Sequence, residues 1–344
     1  MALTILGVAG AFLPISAAIR EVRRPRDSAP LDIDRNYRKD DRFFATSFEH
    51  RLQAAIGPPP RTPGLHYAEL NQQETIESIA ASVTLTEASD KILDIEGDLD
   101  VAAGLSLSKE VRVGGTARIG AGVRLRAMKV GGDIILAERV AVERWIDAGG
   151  RIVVASEGDL GERATATDEI VLDRGVRFRL VSARVVRIGD FHETSRGGAR
   201  TVCSVADFSD GRSRRVRGDG ALLVERDFIL PDGAFATGDV IAGGAITIGR
   251  DASLDGSLHS DQDVVLEENS AITHSVYAER SMAVRDGATI DEHAFTHGFI
   301  HVGRNVRIGT PGRVTTLMGQ EGVELSSPVV VYGRIVASGG GLTV

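Results

Sequence analysis

The stretch that decides the fold is residues 246–299, which divides into ITIGRDASLDGSLHSDQD (246–263), VVLEENSAITHSVYAERS (264–281) and MAVRDGATIDEHAFTHGF (282–299). Written beneath one another, these segments align aliphatic residues at their first, third and ninth positions. Between Val224 and Val314, every sixth position is small or aliphatic and none is charged. An α-helix repeats every ~3.6 residues and a plain strand every ~2, so neither explains this period. A β-solenoid does, because three short strands with their corners close one coil.

Coils of 18 residues predict three inward columns and one corner column. Two inward columns are aliphatic: Ile248, Leu266, Val284 and Val302, and then Leu254, Ile272, Ile290 and Ile308. The third contains only small residues: Ala242, Ser260, Ala278 and Thr296. The corner column contains residue types that tolerate left-handed backbone angles: Gly233, Asp251, Asn269, Gly287 and Asn305.

An earlier block repeats the six-residue spacing from Ile95 to Leu125, slips by one residue at Val130, and resumes from Leu136 to Phe178. The two blocks together give about eleven coils and a rod about 50 Å long at ~4.8 Å per coil. The predicted fold is therefore all-β, a triangular single-stranded β-helix of about 18 residues per coil, with a short α-helical N-terminal region.

The remaining sequence divides around these blocks. The predicted parts are an apolar membrane-attachment segment (1–19), a basic and polar region with one helix and a Pro-rich linker (20–64), an N-terminal cap (65–91), the first block (92–188), an Arg-rich insert (189–220), the second block (221–338) and a tail (339–344). The insert is interpreted as a surface loop, with contact to an anionic surface as the alternative.

Residues 1–19 contain no charged side chain and are followed at once by arginines. This pattern predicts attachment to a membrane, by spanning it or by embedding in one leaflet, with the following chain on the cytoplasmic side. A disordered or packed N-terminal helix is the alternative. The residues expected to attach are Leu3, Ile5, Leu6, Val8, Phe12, Leu13, Ile15, Ile19, Arg20, Arg23 and Arg24.

One amphipathic helix is predicted from Asp41 to Ile56. Its apolar face recurs every fourth residue and consists of Phe44, Phe48, Leu52 and Ile56. This face is a candidate for docking on the rod, on a membrane or on a partner protein, and the sequence does not choose among them.

Composition and motifs argue against several classes of function. A net charge of −8 and 5% aromatic residues are unlike a nucleic-acid-binding surface, and the single cysteine, Cys203, excludes a disulfide framework. No nucleophile elbow, phosphate-binding loop or dinucleotide fingerprint occurs. His293, His297 and His301 are four apart, but about 26 Å would separate the outer two on an extended strand, which argues against a zinc site. The sequence thus indicates no enzyme, no cofactor and no metal.

Two families share features with these repeats. IGAGVR (119–124), IGRDAS (248–253) and VGRNVR (302–307) resemble the hexapeptide repeat of acyltransferases and γ-class carbonic anhydrases. The second half, from LLVERDFILPDG (222–233) to Gly309, more closely resembles the bactofilins, the polymer-forming bacterial cytoskeletal proteins, and residues 92–188 resemble them more loosely. The shared features are paired aliphatic residues around Gly or Asp, a column of small residues, and an apolar N-terminus before a Pro-containing linker.

The bactofilin resemblance implies a right-handed β-helix that polymerises end to end without nucleotide. It also implies attachment to the cytoplasmic face of the bacterial inner membrane and scaffolding of cell-wall or cell-shape proteins. No catalytic residue is implied. This chain departs from the plain pattern in having two blocks, a basic insert and a long N-terminal region.

The C-terminal coil gives a separate reason to expect self-association. Val329, Val331 and Ile335 belong to a strongly aliphatic segment that only a Gly-rich stretch follows. Uncapped strand edges template another subunit, which predicts dimers or filaments through this end.

The favoured function is a non-enzymatic, membrane-attached, self-associating scaffold whose partners are itself, the cytoplasmic membrane and envelope proteins of unknown identity, with no nucleic acid. The first alternative is a trimeric hexapeptide-repeat enzyme with a histidine between subunits as general base. The second is a subunit of an envelope assembly that does not polymerise alone.

Overall fold

A computed structural model describes residues 40–69, 73–191, 202–205, 214–216 and 221–344 of this chain. Residues 41–344 form one compact unit. It begins with helix α1 (Phe43–Ile56). The helix ends where Gly57 adopts φ 84° and donates its N–H to the Gln53 carbonyl, directly before three prolines that cannot continue it.

The rest of the described chain is β-structure. The strands up to the insert are β1 (Gly64–Glu69), β2 (Gln73–Ile79), β3 (Val83–Leu85), β4 (Ile92–Ile95), β5 (Leu99–Val101), β6 (Ser106–Val113), β7 (Ala117–Ile119), β8 (Arg124–Val130), β9 (Ile134–Leu136), β10 (Ala141–Ala148), β11 (Ile152–Val154), β12 (Arg163–Ala166), β13 (Glu169–Leu172), β14 (Arg177–Ser182) and β15 (Val185–Ile188).

The insert contributes β16 (Val202–Ser204) and β17 (Arg214–Val216). The second block comprises β18 (Leu222–Val224), β19 (Phe228–Leu230), β20 (Phe235–Thr237), β21 (Val240–Ala242), β22 (Ile246–Ile248), β23 (Ser253–Asp255), β24 (Leu258–Ser260), β25 (Val264–Leu266), β26 (Ala271–Ile272), β27 (Val276–Ala278), β28 (Met282–Val284), β29 (Thr289–Ile290), β30 (Ala294–Thr296), β31 (Phe299–Val302), β32 (Val306–Ile308), β33 (Thr315–Gly319), β34 (Gly322–Leu325), β35 (Val329–Val331) and β36 (Gly333–Thr343).

These strands wind into a β-solenoid of about 13 turns with about 18 residues per coil, which confirms the predicted fold class. In the second block, parallel strands stack with an offset of 18 residues, for example Ile246 on Val264 and Val264 on Met282. We call the three faces walls A, B and C. In the second block, wall A consists of β18, β21, β24, β27, β30 and β33. Wall B consists of β20, β23, β26, β29, β32 and β35. Wall C consists of β19, β22, β25, β28, β31 and β34.

The predicted columns are the core of the solenoid. Every member of the two aliphatic columns and of the small column is at most 2% exposed. The two hydroxyl groups in the small column are satisfied by the corner backbone: Ser260 donates to the Gly244 carbonyl and Thr296 to the Arg280 carbonyl, each at 2.8 Å. Polar residues are tolerated there because their hydrogen bonds are local.

The six-residue register ends at Ile308 rather than at Val314. Val314 is 81% exposed, so the prediction that the register extends to this residue was wrong. The coil that follows Ile308 is five residues longer, because Ala294 on wall A pairs with Leu317, 23 positions on. The additional residues bulge outward before β33 and carry Val314 out of the core.

The corner prediction is confirmed at all five positions of the second block. Gly233, Asp251, Asn269, Gly287 and Asn305 have φ between 54° and 70°. The first block has an equivalent column with φ between 56° and 75°, and it consists of Gly104, Gly122, Arg139, Glu157 and Gly175.

Aspartates join successive coils at the corners. The Asp286 carboxylate accepts the Arg304 backbone N–H at 2.8 Å, and Asp232 accepts that of Arg250 at the same distance. The residue before each donor is a glycine, and a Cβ on Gly303 would lie 2.4 Å from Asp286 Oδ1. An aspartate followed 17 residues later by glycine is therefore one structural unit. It recurs at Asp98, Asp133 and Asp227.

In the first block, wall A continues through β4, β6, β8, β10, β12 and β14. Wall B continues through β3, β5, β7, β9, β11, β13 and β15. Wall C of this block is formed by the first residues of β6, β8, β10 and β14 and by bridges through Asp159.

The two blocks meet at their C-terminal ends. β14 pairs antiparallel with β36, with Val181 opposite Ile335 on wall A and Phe178 opposite Gly341 on wall C. β15 pairs antiparallel with β35 on wall B. Wall B is therefore one sheet of 14 described strands, about 60 Å long at ~4.8 Å per strand. Across the junction, the chain reverses both its direction along the rod axis and its sense of rotation about that axis. The two blocks therefore have the same handedness.

The ends of the blocks differ in detail from the sequence prediction. Within the region predicted as a cap, β1 and β2 form an antiparallel hairpin and β2 begins wall A by pairing with β4. Residues 339–344 are not a separate tail, since β36 continues to Thr343 and its Gly341 to Thr343 pair with β34. A side chain at Gly341 would collide with the Phe178 ring, 2.3 Å away, so the junction requires glycine there.

Candidate functional site

The candidate surfaces are the membrane segment, the C-terminal edge and the face of the helix. The membrane-attachment residues, Leu3 to Arg24, lie outside the described residues. Within the described part of the chain, no helix has the length and apolar character needed to cross a bilayer.

The C-terminal edge predicted to self-associate is already occupied within the chain. Val329, Val331 and Ile335 are each 0% exposed. Val329 and Val331 face Ile188 and Val186 of β15, and Ile335 faces Val181 of β14. The premise that this edge is uncapped was wrong, because the first block covers the end of the second. Residues almost 150 positions apart create this cover, and neither strand carries a sequence signal for its partner.

Both outer ends of the rod are consequently the starts of blocks. At the first end, among the described residues, β1 pairs only with β2 and β3 pairs only with β5. Leu65 and Tyr67 of β1 are 52% and 71% exposed. At the other end lie β16 and β17 of the insert, together with β19.

Helix α1 lies on wall A of the first block, which settles the three-way choice left by its sequence. Phe48 and Leu52 are buried, and Phe44 and Ile56 are half-buried against the same cluster. The cluster comprises Ala45, Phe48, Leu52, Ile76, Ile92, Ala127 and Trp145. The Phe48 and Trp145 rings lie 5.9 Å apart between centroids. The face predicted as a possible partner-docking surface is thus used within the chain.

Beneath the helix and the linker, wall A carries a row of polar side chains at the outward position of successive strands. Pairing registers place Asp94, Arg112, Lys129, Asp147 and Thr165 next to one another in that order. The helical region supplies partners for this row, because Glu49 pairs with Lys129 and Arg42 Nε lies 3.3 Å from Asp147 Oδ1.

The most buried ion pair of this row involves the linker. Arg61 Nη1 lies 2.7 Å from both Asp94 carboxylate oxygens, and both side chains are at most 1% exposed. Arg112 Nη1 reaches Asp94 Oδ1 at 2.9 Å and Glu96 Oε1 at 3.1 Å. Removing one partner from such a pair leaves a buried charge without compensation, which costs on the order of 3–5 kcal/mol. The Arg61 contact therefore fixes the chain between helix and hairpin.

Charge neighbours and burial shift the pKa values of this row in different directions. Burial disfavours ionised Glu49, but its hydrogen bond to Lys129 and the charge of Lys129 outweigh this and lower the pKa of Glu49. Burial dominates at Asp147 and raises its pKa, although Thr165 and Arg42 act in the opposite direction. Burial likewise disfavours charged Arg112, and Asp94 and Glu96 reverse the effect and raise the pKa of Arg112.

The sequence contains a signal for this covered wall, although no motif marks it. Asp94, Arg112, Lys129 and Asp147 follow one another at nearly the coil period, at positions where the alternation of the strand directs side chains outward. The signs of these charges alternate only in part along the row, and the apolar Trp145 lies beside it. This combination is unlike a wall that faces only solvent. It indicates that another element covers the wall.

The histidines of the second block lie on the outer surface. His259 stacks on Tyr277 with centroids 4.5 Å apart, and the His297 Nδ1 atom lies 3.0 Å from Glu279 Oε1. Hydrogen bonds from Tyr277 and His297 lower the pKa of Glu279. In the part of the chain that the structure describes, no three His, Cys, Asp or Glu side chains are placed to hold a metal ion.

Comparisons with protein families, with curated proteins and with solved structures returned no significant match. The chain is a two-block β-solenoid. Among the described residues, its C-terminal junction and one wall are covered, and the strands at the start of the first block have free edges.

Proposed function

We propose that this chain is a non-enzymatic structural protein, a membrane-attached and self-associating scaffold of bactofilin type for cell-envelope or cell-shape proteins at the cytoplasmic face of a bacterial membrane. The observation that carries the proposal is the continuous solenoid with open strand edges at its outer end. At that end, β1 and β3 leave strand edges that no other described strand pairs with, and a second copy can add to them through backbone hydrogen bonds.

Self-association is assigned to the outer end of the first block instead of the C-terminal coil. The edge of β1 offers backbone hydrogen-bonding groups beside Leu65 and Tyr67, whose large exposed side chains a partner strand would cover. A contact between two such ends relates the copies by a twofold axis and gives a dimer. Filaments require the insert-bearing end to associate as well.

Sedimentation of a chain without residues 1–39 tests this assignment, because residues 41–344 form the compact unit. We expect the average mass to rise with protein concentration. Changing Leu65→Lys and Tyr67→Lys together is expected to shift assembly to at least tenfold higher concentration, about 1.4 kcal/mol. The control is Val314→Lys, which places one lysine on another exposed apolar residue. A chain that stays monomeric at every concentration, or a double variant that assembles like the control, contradicts the assignment.

Membrane attachment is proposed to reside in residues 1–19 and the arginines after them. Deleting residues 1–19 is expected to move the protein from the membrane fraction to the soluble fraction. Changing Arg20, Arg23 and Arg24 to Gln should weaken retention on anionic vesicles, since each basic residue near such a surface contributes about 1 kcal/mol. Unchanged fractionation after the deletion would refute this part of the proposal.

A further inference from the structure

A groove lies between helix α1 and the corner where walls C and A of the first block meet. Its volume is about 450 Å³. Among the described residues, four cationic and two carboxylate side chains line it, a net charge of +2 in a chain whose total is −8: Arg51, Lys109, Arg126, Arg144, Glu74 and Glu110. The groove is thus a local reversal of the charge of the molecule, and it attracts anions.

The carboxylates do not neutralise the groove. Lys109 Nζ pairs with Glu74 Oε1 at 2.9 Å. Two guanidinium groups share the remaining carboxylate, since Arg126 Nε lies 3.2 Å and Arg144 Nη1 3.5 Å from the same Glu110 oxygen. Each guanidinium has five N–H donors in a planar fork, so one oxygen between two arginines leaves several donors for a further acceptor.

Arg126 gives a second indication that an acceptor is missing. Its Nε atom is buried and makes no hydrogen bond of acceptable geometry to the described residues, despite the proximity of Glu110. A buried donor without an acceptor is costly, and in a native protein it calls for an explanation. The side chains of Arg126 and Arg144 as a whole are 38% and 48% exposed, so a ligand has access to them from solvent.

We propose that this groove binds a phosphate monoester whose organic part lies against the rings of Phe43 and Phe44. Both rings line the groove from helix α1, whereas Arg126 and Arg144 line it from strands β8 and β10. A guanidinium fork matches the oxygens of phosphate, and the charge of about −1.5 to −2 on a monoester at neutral pH complements the net charge of the groove. The phosphate group belongs either to a soluble ester or to the headgroup of a lipid such as phosphatidic acid. The site does not depend on whether the chain self-associates.

Calorimetric titration of the full chain with phenyl phosphate tests the soluble source. Retention on phosphatidylcholine vesicles with and without phosphatidic acid tests the lipid source. The quantity measured is the increase in retention that phosphatidic acid causes, because residues 1–19 are expected to attach the chain to both kinds of vesicle. Changing Arg126→Gln and Arg144→Gln together is expected to weaken binding at least tenfold in one of these arms. The matched control is Arg118→Gln with Arg124→Gln, two exposed arginines of the same block outside the groove.

The variant Glu110→Gln tests for an increase in affinity, which misfolding cannot produce. Removing the competing carboxylate is expected to strengthen binding several-fold, and raising the ionic strength should weaken it. Binding of phenyl phosphate identifies a soluble ester, whereas a response confined to vesicles identifies a lipid headgroup. The proposal is overturned if neither probe binds, or if the groove variants and the control variants behave alike.

Discussion

Single residues at the corners determine whether the coils close without strain. Five corners of the second block have residue types suited to a positive φ, whereas the first block has Arg139 at φ 56° and Glu157 at φ 60° in the same role. Side chains with a Cβ are disfavoured in this conformation by about 1–2 kcal/mol, and the same column in neighbouring coils contains glycine.

Arg139→Gly and Glu157→Gly are therefore expected to stabilise the protein. The relief of strain should exceed the added entropy of the unfolded chain and raise the free energy of unfolding by about 0.5–1 kcal/mol each, as measured by urea denaturation. The control is Arg118→Gly, since Arg118 is also exposed but lies in strand β7, where glycine should destabilise. Losses of similar size in all three variants would contradict the argument.

At the scale of elements, helix α1 depends on a few large contacts. Its sequence has a modest apolar face and no side chain that caps its first turn, so tertiary packing provides most of its stability. Trp145 is the single tryptophan of the chain, is 5% exposed and packs against Phe48. Its fluorescence therefore reports directly whether the helix is docked.

Phe48→Ala is expected to loosen the helix from wall A. Truncating a buried phenylalanine costs about 3–5 kcal/mol, which should shift Trp145 emission to the red and reduce hydrogen-exchange protection in α1 before the solenoid unfolds. His50→Ala on the exposed side of the same helix is the control and should leave the emission unchanged. An unshifted spectrum in Phe48→Ala would show that the helix does not rely on this contact.

Acid should also undock the helix, through Glu49. Since the pKa of Glu49 is lowered in the folded protein, its contribution to stability is present above the ordinary carboxyl pKa and is lost as pH falls through the lowered value. Asp147 acts in the opposite sense, because its raised pKa makes protonation favourable for folding as pH falls. We expect the acid-induced red shift of Trp145 to be smaller in Glu49→Gln, which is already undocked in part at neutral pH. The control is Glu77→Gln, which removes the ion pair with Lys91 at another site. This variant should show the same acid-induced red shift as the unmodified protein.

At the scale of the whole molecule, the antiparallel junction couples two solenoids into one rod. Each coil contacts only its neighbours, so the stability of such a protein is a sum of coil terms and interface terms, and the junction is one interface among many. It is distinguished by sequence separation, since β14 and β36, at the C-terminal ends of the two blocks, bring together Val181 and Ile335.

Ile335→Ala is expected to uncouple the blocks. Removing this buried side chain costs about 2–5 kcal/mol at the junction. Calorimetry should then resolve two unfolding transitions, and β15 and β35 should lose hydrogen-exchange protection together. Val336→Ala, a half-buried neighbour in the same strand, is the control. A single sharpened transition in Ile335→Ala would argue against coupling through the junction.

The sequence by itself determined the coil. A six-residue period fixed which side chains face the core, and the corner column was predictable because a positive φ selects particular residue types at each turn. The exposed Val314 shows where the six-residue period no longer predicts burial. Five additional residues in this coil move Val314 outward, while the next strand still stacks on wall A.

Only the tertiary structure decided what covers each surface. The sequence left the face of α1 open to three partners and assigned the C-terminal edge to another copy, and in both cases the first block is the partner. The physical reason is that a strand edge presents the same backbone donors and acceptors to every possible neighbour, and an apolar face accepts any complementary surface. Such contacts are chosen by which element the folded chain brings within reach, and no short stretch of residues encodes that choice.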